Sequence, residues 1–346
     1  MKKHFLILLP FLLCSCINAS GNTSSKETLI DTRWYFGTGM SLTLTGSNKK
    51  VLEHVFQIFE DYSNLSDAYN SRVDENLKPI VNLFYINLDS NEGKEIVVDE
   101  RLADMLEFGL VMQEKTSYIL DGKEEYEYYF DPLIGNLATL WKNFLETKDA
   151  PLPEDSIIQE LLEERKESSY EVHGNIVKRT GKAKIDVGAF AKGYAVKIAQ
   201  DYLREQGVKD YFINGGSSSM AIGFYNDTKP YKISIKSLRS AGYSEAYFLC
   251  SDTGVGTSGI SEQAKEYLGK EYCHIVDPRT GSALAKNDTV SILCNNPAYA
   301  DVLSTAIFVG GVEAAKALQE KFSFEYMIYD GSDVLSSEGM HFVLEK

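Results

Sequence analysis

The order of the predicted elements constrains the fold more than any other feature of the sequence. Beyond residue 167, short strands alternate with two strongly predicted helices, over about 189–203 and over 297–309, the second closed by Gly310-Gly311. Because these elements do not follow the strict strand–helix–strand repeat of a parallel sheet, we predict an α+β fold. With no internal repeat and no linker-like stretch, residues 31–346 are predicted to form one compact domain.

The first half of the chain shows both strand and helix periodicities. Bulky and small residues alternate over 33–44, which predicts a strand. The other predictions are helices over 51–62, 101–117 and 131–145, a solvated acidic loop over 121–128, and a surface insertion with a charged helix over 148–166.

The first fifteen residues predict a secretory signal. Lysines precede an apolar run over 5–13 that is too short to span a bilayer. The run ends in Leu-Cys-Ser-Cys at 13–16, similar to a bacterial lipobox, so we expect cleavage before Cys16 and acylation of its thiol. A plain signal peptide with an incidental cysteine is the alternative. Residues 16–30 then form a flexible tether, and the domain is expected at the bacterial cell envelope, anchored to the membrane and facing the periplasm or the exterior.

Charge and cysteine usage narrow the classes of partner. The chain has 50 Asp and Glu against 35 Lys and Arg, a formal net charge of −15, so no nucleic-acid partner is expected. An anionic small ligand would need local help from a metal ion or a helix N-terminus. Outside the signal, Cys250, Cys273 and Cys294 form no CxxC pair and predict neither a disulfide framework nor a zinc site.

The predicted helix over 297–309 carries a candidate metal site. Asp301 and Thr305 lie four residues apart, so their oxygens share one helix face. Two hard oxygen ligands suit Mg²⁺, which keeps its other positions for water, phosphate or a carbonyl. In the alternative interpretation, Asp301 complements the helix N-terminus and Thr305 bonds to the preceding turn.

Two other segments contain candidate chemistry. Residues 184–193, KIDVGAFAKG, pass from a predicted strand into a helix, and such a junction offers backbone N–H groups to a phosphate. Asp186 could instead simply cap that helix. His274 stands three residues before an Asp-Pro-Arg-Thr-Gly turn, and histidine is the usual proton acceptor near neutral pH. Asp277 is a residue type that starts such a turn, because an Asp side chain can accept a hydrogen bond from the backbone two residues later.

Two glycine-rich stretches are weaker evidence for a binding site. Residues 254–259, GVGTSG, match GxGxxG, but polar residues precede them and a short polar stretch follows, so a Rossmann site is rejected. Residues 214–219, NGGSSS, are typical of a ligand-facing loop or of a hairpin turn. The sequence contains no Walker A, HExxH or GxSxG pattern, which leaves P-loop, zinc-protease and α/β-hydrolase interpretations without support.

Seven motifs follow one another in a distinctive order. They are FGT at 36–38, FDPLIGNLATLW at 130–141, KIDVGAFAKGYAV at 184–196, INGGSSSMAIG at 213–223, GTSG at 256–259, HIVDPRTG at 274–281 and ADVLSTAIFVGG at 300–311. This series resembles the ApbE family over roughly residues 33–344. The motifs at 184–196, 274–281 and 300–311 carry most of the resemblance.

The resemblance implies a single T-fold-like α+β domain that binds FAD with Mg²⁺. The family comprises FAD:protein FMN transferases, often periplasmic lipoproteins, which split the FAD pyrophosphate, join FMN to a threonine of a target flavoprotein and release AMP. Two alternatives stay open. One is a Mg²⁺-dependent FAD pyrophosphatase, in which water replaces the threonine, and the other is a lipid-anchored flavin-binding protein without turnover.

The resemblance also implies roles for matching residues. His274 becomes the proton acceptor for the attacking hydroxyl. Asp301, Thr305 and the backbone carbonyl of Ala189 become the metal ligands. The implied contacts to FAD are Tyr69, which faces the flavin, and Tyr129, Phe130, Asp131, Asp186, Lys192 and Ile275.

Three stretches depart from the family pattern. Phe36 stands where the family usually has methionine before Gly-Thr. The region of Tyr69 and Asn87 lacks the common Ser-Glu-Ile pattern. The charged stretch 148–167 matches none of the family motifs identified in this sequence.

Overall fold

The structure, a computed structural model, describes residues 26–119, 126–260 and 264–346. The predicted signal, Cys16 and most of the predicted acidic loop lie outside these ranges. The helices are α1 (Lys49–Leu65), α2 (Leu83–Ile86), α3 (Glu100–Lys115), α4 (Gly135–Glu146), α5 (Asp155–Lys166), α6 (Ala191–Glu205), α7 (Lys236–Ser240) and α8 (Pro297–Gln319).

The strands are numbered in chain order. They are β1 (Thr28–Tyr35), β2 (Thr38–Thr45), β3 (Arg72–Val73), β4 (Pro79–Ile80), β5 (Glu95–Val97), β6 (Ser117–Ile119), β7 (Tyr126–Tyr128), β8 (Ser169–His173), β9 (Ile176–Thr180), β10 (Asp210–Gly215), β11 (Ser219–Ile222), β12 (Tyr231–Ser234), β13 (Glu245–Cys250), β14 (Thr253–Gly259), β15 (Ala264–Tyr267), β16 (Lys270–Cys273), β17 (Thr289–Cys294), β18 (Glu325–Tyr329), β19 (Val334–Ser336) and β20 (Phe342–Glu345).

One antiparallel sheet organises the fold, with the strand order β1-β2-β10-β11-β14-β17-β18-β19. Helices α1, α6 and α8 cover one face, and the sheet β12-β13-β20 covers part of the other. Side chains alternate between these faces along each strand. In β11, Ala221 packs in the helical core, whereas Met220 and Ile222 pack against the small sheet. Ser219, two residues before Ala221, therefore faces the helices.

The predicted α+β architecture and single compact domain are confirmed, and α1, α3 and α6 lie where helical spacing predicts them. The prediction of one strand over 33–44 is wrong, because β1 and β2 form a hairpin there. Phe36 and Gly37 have φ of 52° and 70°, and a two-residue turn with positive φ matches the twist of paired strands. β1 begins at Thr28, within the stretch predicted as tether.

Two further predictions need correction. The predicted acidic loop ends in a strand, β7, which pairs with β6. The stretch 148–166 is more than a surface insertion, because Ile158 and Leu162 of α5 are buried in a cluster with Trp141 of α4. A charged helix can hide this role because only one narrow face of it is apolar.

Helix α8 is interrupted at Gly311, which has φ 68° and ψ −160°. The sequence predicted that the helix ends at Gly310-Gly311. In the structure these glycines end only the first segment of α8, and a second segment continues to Gln319. The carbonyls of Phe308 and Val309, next to the break, accept hydrogen bonds from Asn287 (2.8 Å) and Arg279 (3.0 Å).

Among the described residues, α8 alone is long and apolar enough to cross a membrane by length and composition. However, 67% of its most apolar window is buried inside the protein. The helix is therefore the core helix of this domain.

Candidate functional site

Glycines let the neighbouring elements approach α8 closely. A β-carbon on Gly193 of α6 would stand 2.6 Å from the Asp301 side chain and from the Pro297 carbonyl oxygen. A β-carbon on Gly254 of β14 would stand 2.7 Å from the Pro297 backbone. The GVGTSG stretch is thus a sheet strand whose glycines admit a helix, which agrees with the rejection of a Rossmann loop.

Asp301 is buried at the point where α6, α8 and the main sheet meet, with 6% of its surface exposed. Its Oδ2 accepts hydrogen bonds from the Ser219 hydroxyl (2.6 Å) and from the Gly193 N–H (2.8 Å). Burial raises the pKa of the Asp301 carboxyl to about 7, and these bonds and the positive charge of Lys192 offset only part of that effect. A buried carboxylate with this environment favours a cation beside it.

The backbone at the start of α6 offers a second oxygen. A regular helix would pair the Gly193 N–H with the carbonyl of Ala189 four residues earlier. That N–H instead binds Asp301, and no hydrogen bond within the described residues ends on the Ala189 carbonyl. The hydrogen bond from Gly193 therefore orients the Asp301 carboxylate, and it also leaves the Ala189 carbonyl oxygen available to a ligand.

Thr305 supplies a third oxygen one turn along α8. Its hydroxyl lies 3.3 Å from the Ser258 hydroxyl of β14, which also lies 2.9 Å from that of Ser304. The described residues contain no group of three or more His, Cys, Asp or Glu side chains that could hold a metal. The carboxylate, hydroxyl and carbonyl nevertheless fit Mg²⁺, which prefers hard oxygens and commonly takes one or two carboxylates plus water and phosphate.

Lys192 brings a positive charge to the same place. It lies in the first turn of α6, and its Nζ donates to the Ser218 hydroxyl over 2.6 Å. Ser218 lies in the turn between β10 and β11, and Ser219 is the first residue of β11, so the NGGSSS stretch faces the site from the sheet. A phosphate here would meet an ammonium group and the N-terminal end of a helix.

The segment before α6 is fixed although it forms no strand. Asn87 pairs with Ile185 on both sides, accepting from its N–H and donating to its carbonyl, each over 2.8 Å. The Asp186 N–H donates to the Pro132 carbonyl over 2.8 Å. The strand predicted at the start of 184–193 is therefore replaced by an extended segment that side-chain and loop bonds hold in place.

Asp186 connects this segment to Tyr69. Its Oδ1 accepts from the Gly188 N–H (2.8 Å), as in a turn, and its Oδ2 accepts from the Tyr69 hydroxyl (3.1 Å). Burial and the neighbouring Asp186 charge raise the pKa of the Tyr69 phenol. Two residues to which the family resemblance gives a role in FAD binding are thus in direct contact.

The 129–131 segment is mostly turned inward. Phe130 is buried against Phe190, with ring centroids 5.6 Å apart. The buried Asp131 carboxylate binds Arg165 of α5 and accepts from Gln113 over 2.7 Å, so its side chain holds the segment in place. Tyr129 is half-buried and stacks on Tyr118 at 4.3 Å. Of the three predicted FAD contacts, only the Tyr129 side chain is partly accessible.

His274 is exposed, whereas its neighbours Cys273 and Ile275 are buried. The following turn is clasped by Asp277, which accepts from Arg279 Nη2 (2.6 Å) and from Lys286 (3.0 Å). Burial alone would raise the pKa of Asp277, but these bonds and charges hold it below its usual value.

Arg279 in turn reaches the Val309 carbonyl at the break of α8. The turn after His274 is therefore bound to the helix that carries Asp301 and Thr305. This clasp connects the candidate base to the candidate metal ligands.

The structure thus gathers Asp301, Lys192 and the Ala189 carbonyl around the start of α6, with Thr305 one helical turn away. Sequence reasoning did not single out Ser219, Ser258 or Asn87 as site residues. The polar NGGSSS and GTSG stretches were the available signal for the two serines. Asn87 was noted only as part of a region that departs from the family pattern, with no role assigned to it.

Comparison with known proteins finds relatives that are named as transferases. An FAD:protein FMN transferase of Chlamydia pneumoniae is 27% identical over 344 residues, which is 96% of this chain and 98% of that protein. One of Rhodobacter capsulatus is 27% identical over 230 residues, which is 66% of this chain and 42% of that protein.

Solved structures share the fold. The ApbE protein of Thermotoga maritima superposes with a TM-score of 0.73 at 23% identity, covering 90% of this chain and 97% of that one. Flavin transferase ApbE from Vibrio cholerae gives 0.69 at 20% identity, covering 90% and 98%. The family profile of ApbE matches residues 36–328. Since that match spans most of the chain and the motif resemblance points to the same family, this protein belongs to the ApbE family.

Proposed function

We propose that this protein is an FAD:protein FMN transferase, which is the name of its curated relatives, and that its activity depends on Mg²⁺. The observation that carries the proposal is the buried Asp301 carboxylate beside Lys192 and the Ala189 carbonyl, which accepts no hydrogen bond from any residue that the structure describes. An acidic chain can hold a pyrophosphate only where local positive charge balances the charge of the phosphates. Lys192 and a cation held beside Asp301 would supply that positive charge at the start of α6.

The reaction is a phosphoryl transfer. The threonine oxygen of an acceptor flavoprotein forms a bond to the FMN phosphorus, and the bond from that phosphorus to the bridging oxygen breaks. AMP leaves with the electron pair of the broken bond, and His274 takes the proton of the threonine hydroxyl. Because such reactions depend mainly on positioning and charge, few side chains need to react.

Asp301, Thr305 and the Ala189 carbonyl would hold the Mg²⁺. When bound, the metal would supply charge neutralisation at the pyrophosphate and at the leaving phosphate. Lys192 contributes a fixed positive charge to the same end of the substrate, and its bond to Ser218 holds that charge near the first turn of α6.

The flavin end of FAD is assigned to Tyr69, with Asp186 orienting the phenol ring. Tyr129 and the backbone around Ile275 are the remaining contacts that this proposal assigns. The Phe130 and Asp131 side chains act indirectly, because both are buried and hold the 129–131 segment in place.

The test is incubation of the protein with FAD, Mg²⁺ and a candidate acceptor flavoprotein. Mass spectrometry should find FMN linked to a threonine of the acceptor, and chromatography should find AMP in equal amount. Steady release of free FMN and AMP without an acceptor would instead identify an FAD pyrophosphatase. Intact FAD with no AMP in either reaction would identify a flavin-binding protein.

We propose in addition that the chain is lipid-anchored through Cys16 at the cell envelope, because its N-terminus resembles a lipobox. A Cys16→Ser variant should move from the membrane fraction to the soluble fraction of the producing cells. Equal membrane association of the variant and the wild type would contradict the anchor.

A further inference from the structure

We propose that Lys142 controls flavin affinity by occupying the face of the Tyr69 ring on which the flavin stacks. The inference rests on the proposed function, because it takes Tyr69 as the flavin contact. It adds an affinity-determining residue on α4, Lys142, to which no sequence motif assigned a role in FAD binding.

Residue Tyr69 is held by hydrogen bonds at its backbone and at its phenol hydroxyl. Its hydroxyl donates to Asp186 Oδ2 over 3.1 Å, and its backbone N–H donates to Asp67 Oδ1 over 2.8 Å. Asp67 is itself paired with Arg72 at 2.6 Å. A ring fixed in this way presents a defined face to whatever binds beside it.

Lys142 lies on one face of this ring. Its Nζ is 3.9 Å from the ring centroid, which is a cation–π contact. Tyr69 is 42% exposed, so part of its surface is accessible to a ligand. An aromatic ring system stacked on the same face would need the space that the ammonium group occupies, so flavin and ammonium compete for it.

Lys142 has an alternative partner on the same helix. Glu146 lies one turn further along α4, at the i+4 position, and is exposed. Its charge already acts on the Tyr69 phenol. An ammonium displaced from the ring can pair with this carboxylate on the helix surface. Lys142 therefore exchanges its contact with the Tyr69 ring for a pair with Glu146 when the flavin enters. The difference in free energy between these two interactions lowers the affinity for the flavin.

The test is the affinity for FMN, which carries the flavin but has no pyrophosphate to cleave. FMN binding is measured by flavin fluorescence in the presence of Mg²⁺ for the wild type and for Lys142→Met. The matched control is Lys232→Met, because Lys232 makes a similar contact, 3.7 Å from the Tyr247 ring centroid, between β12 and β13. The Lys142 variant should bind FMN about twofold to fivefold more tightly, as expected for loss of an exposed cation–π contact. The control should match the wild type.

A second variant separates competition from a direct contact. Glu146→Gln removes the alternative partner and should weaken FMN binding by up to about twofold, as expected for the loss of a surface pair. Unchanged or weaker binding by Lys142→Met would overturn the inference while the proposed function stands. A wild type that binds neither FMN nor FAD would overturn both. FMN affinity that responds to Lys142→Met, without transfer to any acceptor, would overturn the proposed function alone.

Discussion

Strand β14 and helix α8 touch through their backbones, because a β-carbon on Gly256 would stand 2.2 Å from the carbonyl oxygen of Ala300. The same β-carbon would stand 2.6 Å from the backbone nitrogen of Asp301. This contact therefore sets how deeply the Asp301 carboxylate lies between the sheet and α6.

Gly256→Ala should destabilise the fold, since the obstructing atoms belong to a backbone that cannot turn aside. We expect a loss of about 2–3 kcal/mol in the free energy of unfolding, measured by urea denaturation. Gly39→Ala is the matched control in the same sheet, where the nearest atom to an added β-carbon is Thr32 Cγ2 at 3.6 Å. Equal stability of the two variants would show that the strand and helix can separate freely.

This relationship also shows what the sequence could not reveal about the fold. Helical periodicity located α1, α3 and α6 because it is a local property of each segment. The spacing of glycines in GVGTSG has its cause in α8, which begins more than thirty residues later in the chain. In the same way, the role of α5 depends on Arg165 meeting Asp131, and neither residue signals the other locally.

Ser219→Ala removes the shorter of the two hydrogen bonds that orient the Asp301 carboxylate. Because Ser219 would support a metal ligand without touching the metal, we expect a 10- to 100-fold weaker apparent Mg²⁺ affinity. Transfer activity, measured as AMP released across a Mg²⁺ titration, should recover at high Mg²⁺. Asp301→Asn should not recover at any concentration, and Ser156→Ala, on the exposed side of α5, should match the wild type. Full activity of Asp301→Asn would refute the ligand assignment.

Asp277→Asn should destabilise the protein in a pH-dependent way. The folded-state pKa of Asp277 lies below its ordinary value, so its contribution is present above that value, about 3.9, and is lost as the pH falls through the folded pKa. We expect a cost of about 3 kcal/mol at pH 7, because Arg279 and Lys286 lose a buried carboxylate partner.

Urea denaturation at pH 7 and below pH 4 provides the measurement for this prediction. The difference between Asp277→Asn and the wild type should shrink at the lower pH. Glu313→Gln, which breaks an exposed pair with Lys316, should stay within about 1 kcal/mol of the wild type at both. A pH-independent cost would assign the effect of Asp277 to packing.

The candidate site was predictable only where its residues are close in sequence. Asp301 and Thr305 share a helix face because they are four residues apart, and the sequence alone places them together. Ser219 reaches Asp301 across 82 positions, and Asn87 reaches Ile185 across 98. Such pairs result from the strand order of the main sheet and from loop packing, which no local pattern encodes.

His274→Ala should slow transfer far more than it weakens FAD binding. A general base contributes about 10²- to 10⁴-fold to a rate, and an exposed imidazole contributes little to holding a dinucleotide. The measurements are kcat for FMN transfer and the Kd for FAD without acceptor. His173→Ala, an exposed histidine on β8, is the matched control and should leave both unchanged. Parallel losses in kcat and FAD affinity would show that His274 binds the substrate and does not take the threonine proton, because a base acts only once the hydroxyl attacks.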